Sequence, residues 1–459
     1  MKSKRLWYMA LFVMLFAALL ASCASPAEEP APEPTDPPPP PEPTDVPEPA
    51  VDPNGQNIVF WHAMSSGANL EGMDAVVAEF NASNMYGITV EAIAQGRQSE
   101  LETAVNGAIT TGELPNLTMG FPNGLSNWYG LGVIAALNDY INGDMMGLSA
   151  DAQSAIFAGP YSSGTLADGT QIGIPLHQSA QVNFYNYTWG EELGFDGPPT
   201  TSAEFKEQAC AASAANNADD DPDNDDTGGY VLFPSASTVF PWVAAFDGGF
   251  LNDSGDGYIM NSQAAVDVGV FLKDLLDSGC TLFTPSFPNP EFAARQALFA
   301  TSSTAGQPFQ QSAMDEVENE DVWGAIGFPG PNGTVTVNAF GQMVGIVATN
   351  PEQDLASWLF LQYLTSPETQ ATWIGYTGYF PSQSTTDVAD RAADDAIWSA
   401  ALDLLPLGVA EPNLPSWGPV RGAIQDAYFA ILDAEDEAGI AAILADLNDQ
   451  AAELLAEME

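Results

Sequence analysis

The sequence predicts an α/β fold in which a parallel sheet is covered by helices on both faces, with the chain divided between two lobes. Asn57–His62 is a short apolar run typical of a strand, and Leu70, Met73, Val76 and Phe80 then recur at helical spacing. Repetition of this pattern gives a β-α-β-α-β order, which is typical of parallel sheets. About 400 residues follow a Pro-rich N-terminal stretch, more than one hydrophobic core usually serves.

The same two patterns continue along the chain. Strands are predicted over residues 57–62, 88–93 and 117–120, up to Pro175, and over 182–187, 322–329 and 341–348. Helices are predicted over residues 70–80, 101–109, 205–215, 266–276, 292–299, 355–364 and 368–374, from residue 239 onward, and as a pair between 420 and 459. Because ligands of parallel sheets bind beyond the carboxyl ends of the strands, the loops at 62–66, 97–98 and 121–123 should share one rim.

The N-terminus has the composition of an export signal. Lys2, Lys4 and Arg5 precede an apolar run over residues 6–21, which ends at Leu-Ala-Ser-Cys23. A basic start, a short apolar run and a small-residue ending indicate a secretory signal peptide over residues 1–22. The apolar run is too short for a comfortable membrane span, which needs roughly 20 residues.

The segment after the signal is predicted to be a tether. Residues 23–56 are dominated by Pro, Glu and Asp, which bury little apolar area and favour extended polyproline II. The Leu-Ala-Ser-Cys ending resembles the lipobox of bacterial lipoproteins, which implies that Cys23 is diacylated and anchors the chain to a membrane. The alternative is an ordinary signal peptide that contains a cysteine.

The charge of the chain narrows the classes of partner. With 61 Asp and Glu against 9 Lys and Arg, the formal charge is −52, and a surface this acidic repels nucleic acid. An anionic ligand would need a positive partner, and few are available after the signal peptide. These are Arg97, Lys206, Lys273, Arg295, Arg391 and Arg421, besides His62 and His177.

Two further features concern covalent and metal chemistry. Cys210 and Cys280 are the cysteines that remain after Cys23, and an even pair in an exported protein favours a disulfide over free buried thiols. Asp221, Asp223 and Asp225 have the alternate spacing that hard cations use, but the Glu that closes an EF-hand is missing. A solvated acidic loop is therefore favoured over a metal site, and no cofactor is expected.

Five stretches carry a family resemblance. They are Phe60-Trp-His-Ala-Met64 with a helix ending Glu79-Phe-Asn81; Gly112-Glu-Leu-Pro-Asn116; Ile174-Pro through Phe184-Tyr-Asn186 to Gly194 and residues 198–201; Phe360 to Glu368 with Thr377-Gly-Tyr-Phe-Pro381; and Pro412-Asn-Leu-Pro-Ser-Trp417 with Arg421. In order and spacing they resemble the family 1 extracellular solute-binding proteins of bacterial ABC importers. Asn116 departs from the family, which usually has Pro-Asp there.

The resemblance implies a two-lobe, periplasmic-binding-protein-like fold of type II, hinged by crossing strands. Lobe 1 would comprise residues 57–170 and 340–377, and lobe 2 residues 171–339 and 378–459. The crossings would lie near residues 171–182, 325–344 and 378–382. The function implied is that of a monomeric lipoprotein on the outer face of the cytoplasmic membrane, which delivers a ligand to the transmembrane subunits of an ABC permease.

The resemblance also implies ligand contacts. Counterparts of Ser179, Ser302 or Ser303, Gly341, Tyr379 and Arg421 contact the ligand in glycerol-3-phosphate binders. Gln98 stands where those proteins place a Tyr, and Asn123 lies near the position of their contacting Glu. Trp417 matches a Trp that stacks on a pyranose ring in sugar binders. His62 and Trp242 lie near family contact regions without a clean match.

The residue types of these loops fit a sugar. Sugars present an apolar C–H face and a polar rim, so they need aromatic platforms and hydrogen-bonding side chains. Phe121 and Trp417 supply the first, and Asn123, His177 and Ser179 the second. Core packing is the alternative for each aromatic residue, and a structural ion pair is the alternative for Arg421.

Three functions follow from these observations. A neutral sugar or sugar oligomer is the favoured ligand because cations are scarce. Glycerol-3-phosphate or a glycerophosphodiester is the alternative, for which Arg421 would be a bidentate partner. A surface glycoside hydrolase is the alternative from another class, but the chain has no G-x-S-x-G, H-E-x-x-H or P-loop motif, and no enzymatic activity is predicted.

Overall fold

The computed structural model describes residues 51–143, 146–166, 168–284 and 287–458. The predicted signal peptide, Cys23 with its predicted lipid, and residues 24–50 of the predicted tether lie outside these ranges. Among the described residues, no helix combines the length and the apolar composition needed to cross a membrane.

The described chain alternates strands and helices as predicted. The strands are β1 Asn57–His62, β2 Thr89–Ala94, β3 Leu117–Gly120, β4 Ile174–Pro175, β5 Ser179–Asn186, β6 Gly228–Val231, β7 Thr281–Leu282, β8 Ala297–Ser303, β9 Trp323–Ile326, β10 Phe328–Pro329, β11 Val335–Phe340, β12 Met343–Ile346 and β13 Gly408–Ala410. The helices are α1 Gly67–Ser83, α2 Gln98–Thr111, α3 Pro122–Gly130, α4 Asn138–Ile141, α5 Ala150–Ala155, α6 Ala158–Ser163, α7 Tyr187–Glu192, α8 Ser202–Asn216, α9 Ala236–Ala245, α10 Gln263–Asp277, α11 Asn289–Ala293, α12 Gln307–Glu316, α13 Pro351–Leu364, α14 Pro367–Tyr376, α15 Ala389–Asp394, α16 Ala396–Leu402, α17 Trp417–Leu432 and α18 Glu437–Ala456.

The strands form two sheets. The first has the order β2-β1-β3-β12-β4, and the second follows the order β10-β11-β5-β8-β6-β7, with β13 and β9 paired to β11 and β5. β1 is parallel to β2 and β3, as predicted, whereas β12 is antiparallel to β3 and β4. In the second sheet β6 is parallel to β7 and β8, whereas β5 is antiparallel to β8 and β11. Both sheets are therefore mixed, and the predicted parallel order is confirmed for β1, β2 and β3 but not for the whole of either sheet.

The chain passes from one sheet to the other at segments that lie side by side. Residues 176–178 join β4 to β5, and residues 341–342 join β11 to β12. Leu176 N donates to Gln342 O at 3.0 Å, and Gln178 and Phe380 exchange main-chain hydrogen bonds of 2.9 Å. These passages confirm the predicted crossings within 171–182 and 325–344, and residues 378–382 lie against the first of them.

Buried apolar side chains stabilise both halves. In β1, Ile58 and Phe60 alternate with more exposed neighbours, so one face of the strand packs into the core. A second core lies around Phe205, Trp242 and Trp417. Cys210 and Cys280 form a disulfide at the edge of that core and join α8 to the end of α10.

After residue 200, one predicted helix is wrong and several observed elements, such as β6, β11, β13 and α12, were not predicted. The helix predicted over 292–299 ends at Ala293, and Ala297–Ser303 is a strand between β5 and β6. Arg295 causes the break, because it adopts a left-handed backbone conformation with φ 55° and its guanidinium forms ion pairs with Glu192 and Asp321. β11 was not predicted, although its Val-Thr-Val start is β-branched.

Candidate ligand-binding cleft

A cleft of about 1080 Å³ lies where the crossing segments meet the loops of both sheets. On the side of the first sheet it is lined by the start of α2, the turn from β3 into α3, and α6. On the side of the second sheet it is lined by Ser237, the β11–β12 connection, the segment from β13 onward and the start of α17. This volume is slightly above the range of about 300–1,000 Å³ that is usual for small-molecule sites.

Two predicted rim loops do line this cleft. Gln98 begins α2 after β2, and Phe121 precedes α3, in which Pro122 occupies the first turn, where its missing N–H costs nothing. Gln98, Phe121 and Asn123 all face the cleft. Gln98 Oε1 accepts a 2.6 Å hydrogen bond from Gln342 Nε2, which ties the rim of the first sheet to the crossing segment.

The crossing at Gly341 depends on the absence of a side chain. A Cβ at Gly341 would collide with the main-chain carbonyl oxygen of His177, so only glycine allows the two crossing segments to approach this closely. Phe340 precedes it, and its ring lies 6.4 Å from that of Phe121 in an edge-to-face arrangement. The two rings bring an apolar surface from each side of the cleft to one place.

A buried carboxylate organises the opposite wall. Glu411 Oε1 accepts from Asn338 Nδ2 at 2.7 Å and from Ser237 Oγ at 3.2 Å. Glu411 Oε2 accepts from Trp417 Nε1 at 2.7 Å and from Arg421 Nη1. Two lone pairs on each oxygen are thereby used, which is the acceptor capacity of a carboxylate.

These contacts fix the ionisation of Glu411. Burial alone would raise the pKa of Glu411, but the positive charge of Arg421 and the donated hydrogen bonds outweigh it and lower the pKa below the usual value. Glu411 is therefore an anion at neutral pH. It neutralises Arg421, whose side chain remains 37% exposed.

Trp417 and Arg421 line the cleft, but both side chains already make contacts within the protein. Trp417 is 2% exposed, and its ring lies 6.2 Å from Phe250 and 6.1 Å from Tyr258. The predicted stacking of a sugar on Trp417 thus has no open ring face in this conformation. Arg421 is an ion-pair partner, which was the structural alternative, and Arg421 Nη2 also donates to Ser237 Oγ at 2.7 Å.

Seven predicted site residues do not line the cleft. His177 is buried and Tyr379 is partly buried, with ring centroids 3.7 Å apart, and Tyr379 stacks in turn on Trp373. Burial lowers the pKa of His177 to about 3 and raises that of Tyr379 to about 12. This stack supports the crossing segments from below.

The remaining five are placed by packing or by the sheet. Trp242 is enclosed in the second core against Phe205 and Phe328, with ring centroids 5.1 and 5.2 Å away. His62 ends β1 but is 1% exposed, and burial lowers its pKa to about 4. Ser179 is buried against Thr304 at 3.1 Å, and Ser302 and Ser303 pair with β5 in the second sheet.

The sequence interpretation missed the residues that shape the walls most. Phe157, which is exposed, and Phe340, which is partly exposed, are aromatic residues of the cleft lining, and Glu411 and Ser237 contribute to its polar wall. Glu411 directly precedes the Pro412–Trp417 stretch, so its position next to a predicted ligand contact was the available signal. Ser237 had no such signal.

The acidic loop forms turns that are closed by its own side chains. Asp219 and Asp221 accept hydrogen bonds from the main-chain N–H groups two residues further on, at 2.8 and 3.1 Å, as in turns. Within the described ranges, no three His, Cys, Asp or Glu side chains converge as metal ligands, and this includes Asp221, Asp223 and Asp225.

Two mixed sheets, joined by paired crossing segments that form the floor of a shared cleft, define a class of two-lobed solute-binding proteins. Residues 75–403 match the family described as bacterial extracellular solute-binding protein. This match spans more than half of the chain, and the chain belongs to that family.

Relatives and solved structures agree with this assignment. A binding protein of Brucella abortus is 22% identical over 308 residues, which cover 65% of this chain and 70% of that protein. The sugar-binding protein MalE of Xanthomonas citri is 20% identical with a TM-score of 0.74, over 88% of this chain and 98% of the other. For the GacH receptor of Streptomyces glaucescens, solved unliganded and with acarbose, the values are 16%, 0.73, 88% and 100%. For UgpB of Mycobacterium tuberculosis in complex with glycerophosphocholine they are 18%, 0.73, 87% and 98%. These likenesses establish the two-lobed α/β fold.

Proposed function

We propose that this protein binds a neutral sugar or sugar oligomer in the cleft and delivers it to the transmembrane subunits of an ABC importer. The observation that carries the proposal is the composition of the cleft wall. Apolar rings from both sides, Phe121 and Phe340, lie beside planar amide side chains such as Gln98 and Asn123. An apolar ring face and amide donors and acceptors match the two kinds of surface that a sugar presents.

The charge of the cleft supports a neutral ligand. Its lining includes two cationic side chains, Arg97 and Arg421, and two carboxylates, Glu102 and Glu411, which leaves no net charge. The chain as a whole carries −52, so an anion would also be repelled on approach. A ligand without charge has no such penalty, and it can use the hydrogen-bonding groups that remain.

A glycerophosphodiester is the second candidate. The side chain of Arg421 is partly exposed and lines the cleft, and UgpB, which is similar in fold, was solved in complex with glycerophosphocholine. A phosphate would compete with Glu411 for the same guanidinium. Because that carboxylate is already in place and hydrogen-bonded by three other side chains, the sugar is the better match.

Turnover of a glycoside is not part of the proposal. A glycoside hydrolase needs one carboxylic acid that gives up its proton and a second carboxylate nearby. Glu411, the cleft carboxylate that is paired with Arg421, has a lowered pKa, and its acceptor positions are filled, so it is poorly suited to either role.

The proposal includes export and a lipid anchor. Residues 1–22 would direct export, Cys23 would carry the lipid, and the acidic and Pro-rich segment would hold a monomeric binding protein outside the cell. Metabolic labelling with a fatty-acid analogue tests this part. Label should enter the wild-type chain and not Cys23→Ser, and equal labelling of both would contradict the anchor.

The ligand is tested by a thermal-shift screen followed by calorimetry. The panel contains glucose, maltose, maltotriose, cyclic maltodextrins, glycerol-3-phosphate and glycerophosphocholine. A ligand at 100 times its Kd stabilises the folded state by about 2.7 kcal/mol, which gives a readable shift in Tm. A shift with at least one neutral sugar supports the proposal. A shift with the phosphates alone would favour the second candidate, and released reducing sugar from a glycoside panel would favour an enzyme.

A further inference from the structure

The contacts of Glu411 give it a role that the sequence does not predict. Its carboxylate is 14% exposed, yet it lies in the wall of a ligand cleft rather than in a core. It holds four donors from three separate segments: Ser237 at the start of α9, Asn338 in β11, and Trp417 and Arg421 in α17. Glu411 therefore fixes the position of the neighbouring cation.

Arg421 would attract anions without this partner. A guanidinium offers a planar fork of N–H donors that matches a phosphate or carboxylate, and it stays charged at any relevant pH. In the described part of the chain, Nη1 bonds Glu411 and Nη2 bonds Ser237 Oγ at 2.7 Å. Both ends of the fork are thus engaged from within the protein, and the charge is neutralised.

We infer that Glu411 sets the charge selectivity of the cleft: by pairing with Arg421 it makes the site accept neutral ligands and reject phosphorylated ones. The inference rests on the proposed function, because it explains why that function is limited to neutral ligands. Glu411 acts through Arg421, so it is a positioning residue. The guanidinium has five N–H groups, and those left over can still donate to a ligand hydroxyl.

The substitution Glu411→Gln tests this inference because it removes the charge and keeps the shape. The new amide oxygen can accept from Trp417 or Arg421. Asn338 now presents its Nδ2 donor to Glu411. The new amide nitrogen can donate to Asn338 once the side-chain amide of Asn338 turns over and presents Oδ1, which is buried and lacks a partner in the described structure. We therefore expect the variant to fold, and an unchanged far-UV circular dichroism spectrum and a sharp melting transition would verify this.

Glycerol-3-phosphate is the probe, titrated by calorimetry at 0.15 M ionic strength into wild type, Glu411→Gln and a matched control. The control is Glu102→Gln, which removes the other cleft carboxylate, one that bonds Gln98 at 3.0 Å and not an arginine. We expect Glu411→Gln to bind the probe at least tenfold more tightly than wild type. Glu102→Gln should gain little, and adding Arg421→Gln to Glu411→Gln should abolish the gain.

Several outcomes would overturn the inference. They are a folded Glu411→Gln protein without a gain, an equal gain in Glu102→Gln, and a gain that survives Arg421→Gln. Should Glu411→Gln not fold, Glu411→Asp serves instead, because it withdraws the carboxylate from Arg421 by one methylene and should give a smaller gain; no gain there is also contradictory. A gain in anion binding, in a protein whose wild type binds no neutral sugar, would support the inference and contradict the proposed function.

Discussion

The side-chain amide of Asn413 donates a 2.6 Å hydrogen bond from Nδ2 to the main-chain carbonyl oxygen of Ser163. Ser163 ends α6, beside the first sheet, whereas Asn413 lies between β13 and α17 of the second half. Ser163 and Pro412, the neighbour of Asn413, both line the cleft. The bond therefore joins the two walls of the cleft directly, without passing through the crossing segments.

A bond in this position should contribute to ligand affinity. We expect Asn413→Ala to weaken sugar binding by about twofold to tenfold, because one hydrogen bond contributes about 0.5–1.5 kcal/mol net and this one joins the two walls between which the ligand would lie. Calorimetry with the best ligand of the screen measures the change. Asn54→Ala, at an exposed turn near the start of the described residues, is the control. Equal affinities in wild type, Asn413→Ala and Asn54→Ala would contradict the prediction.

Gly341 should be intolerant of any side chain. We expect Gly341→Ala to destabilise the protein by about 1–3 kcal/mol, because its Cβ would meet the carbonyl oxygen of His177 and force the crossing segments apart. Gly107→Ala is the matched control. Gly107 lies within α2 with open space around its Cα, so alanine should be neutral or stabilise by up to about 1 kcal/mol. Urea unfolding compares the two, and a stability loss of equal size would show that the crossing is not the cause.

Phe340 and Trp417 should differ in which property they affect. Phe340 is partly exposed at the cleft, so Phe340→Ala should weaken sugar affinity while changing Tm little. Trp417 is packed in the second core, so Trp417→Ala should cost about 3–5 kcal/mol of stability. Phe309→Ala, at a ring 65% exposed outside the cleft, is the control for a surface aromatic. If Trp417→Ala lost affinity with an unchanged Tm, the result would support the prediction that a sugar stacks on Trp417.

The sequence predicts the elements better than it predicts the site. Strands such as Leu117–Gly120 and helices such as Pro351–Leu364 follow from local periodicity, which one segment contains by itself. The break at Arg295 depends on Glu192 and Asp321, which are distant in sequence, so no local pattern reveals it. Where the local periodicity did not separate a helix from a strand, contacts between residues distant in sequence determined the structure.

The site depended on the same distinction. Gln98, Phe121, Asn123 and Gly341 line the cleft because strand ends and the crossing segment place them there, and those positions follow from the order of elements. Trp242 and Trp417 are both enclosed, and in each case the enclosing rings are distant in sequence: Phe205 and Phe328 for Trp242, and Phe250 and Tyr258 for Trp417. The sequence gives the type of each residue, but it does not show whether its side chain faces the cleft or the core.

The burial of His177 and His62 should make the stability of the protein depend on pH. Burial lowers its pKa to about 3, partly opposed by Gln342, and that of His62 to about 4, partly opposed by the charge of Asp74. Both are neutral in the folded state, whereas the unfolded chain takes up protons below about pH 6.5. The unfolded state therefore binds more protons between these values, so stability is full above about pH 6.5 and falls as the pH is lowered toward 3.

For His177 this amounts to a loss of about 2 kcal/mol at pH 5 relative to pH 7.5. We expect His177→Phe, which retains an aromatic ring against Tyr379, to reduce the slope of unfolding free energy against pH between 5 and 7. Urea unfolding at three pH values in this window measures it. Glu411 does not interfere in this window. Because its pKa is lowered in the folded state, its contribution to the stability of the protein is lost only as the pH falls below about 4.5, the pKa of an ordinary Glu. An unchanged slope in His177→Phe would mean that His177 is hydrated in solution and does not support the crossing segments as a neutral ring.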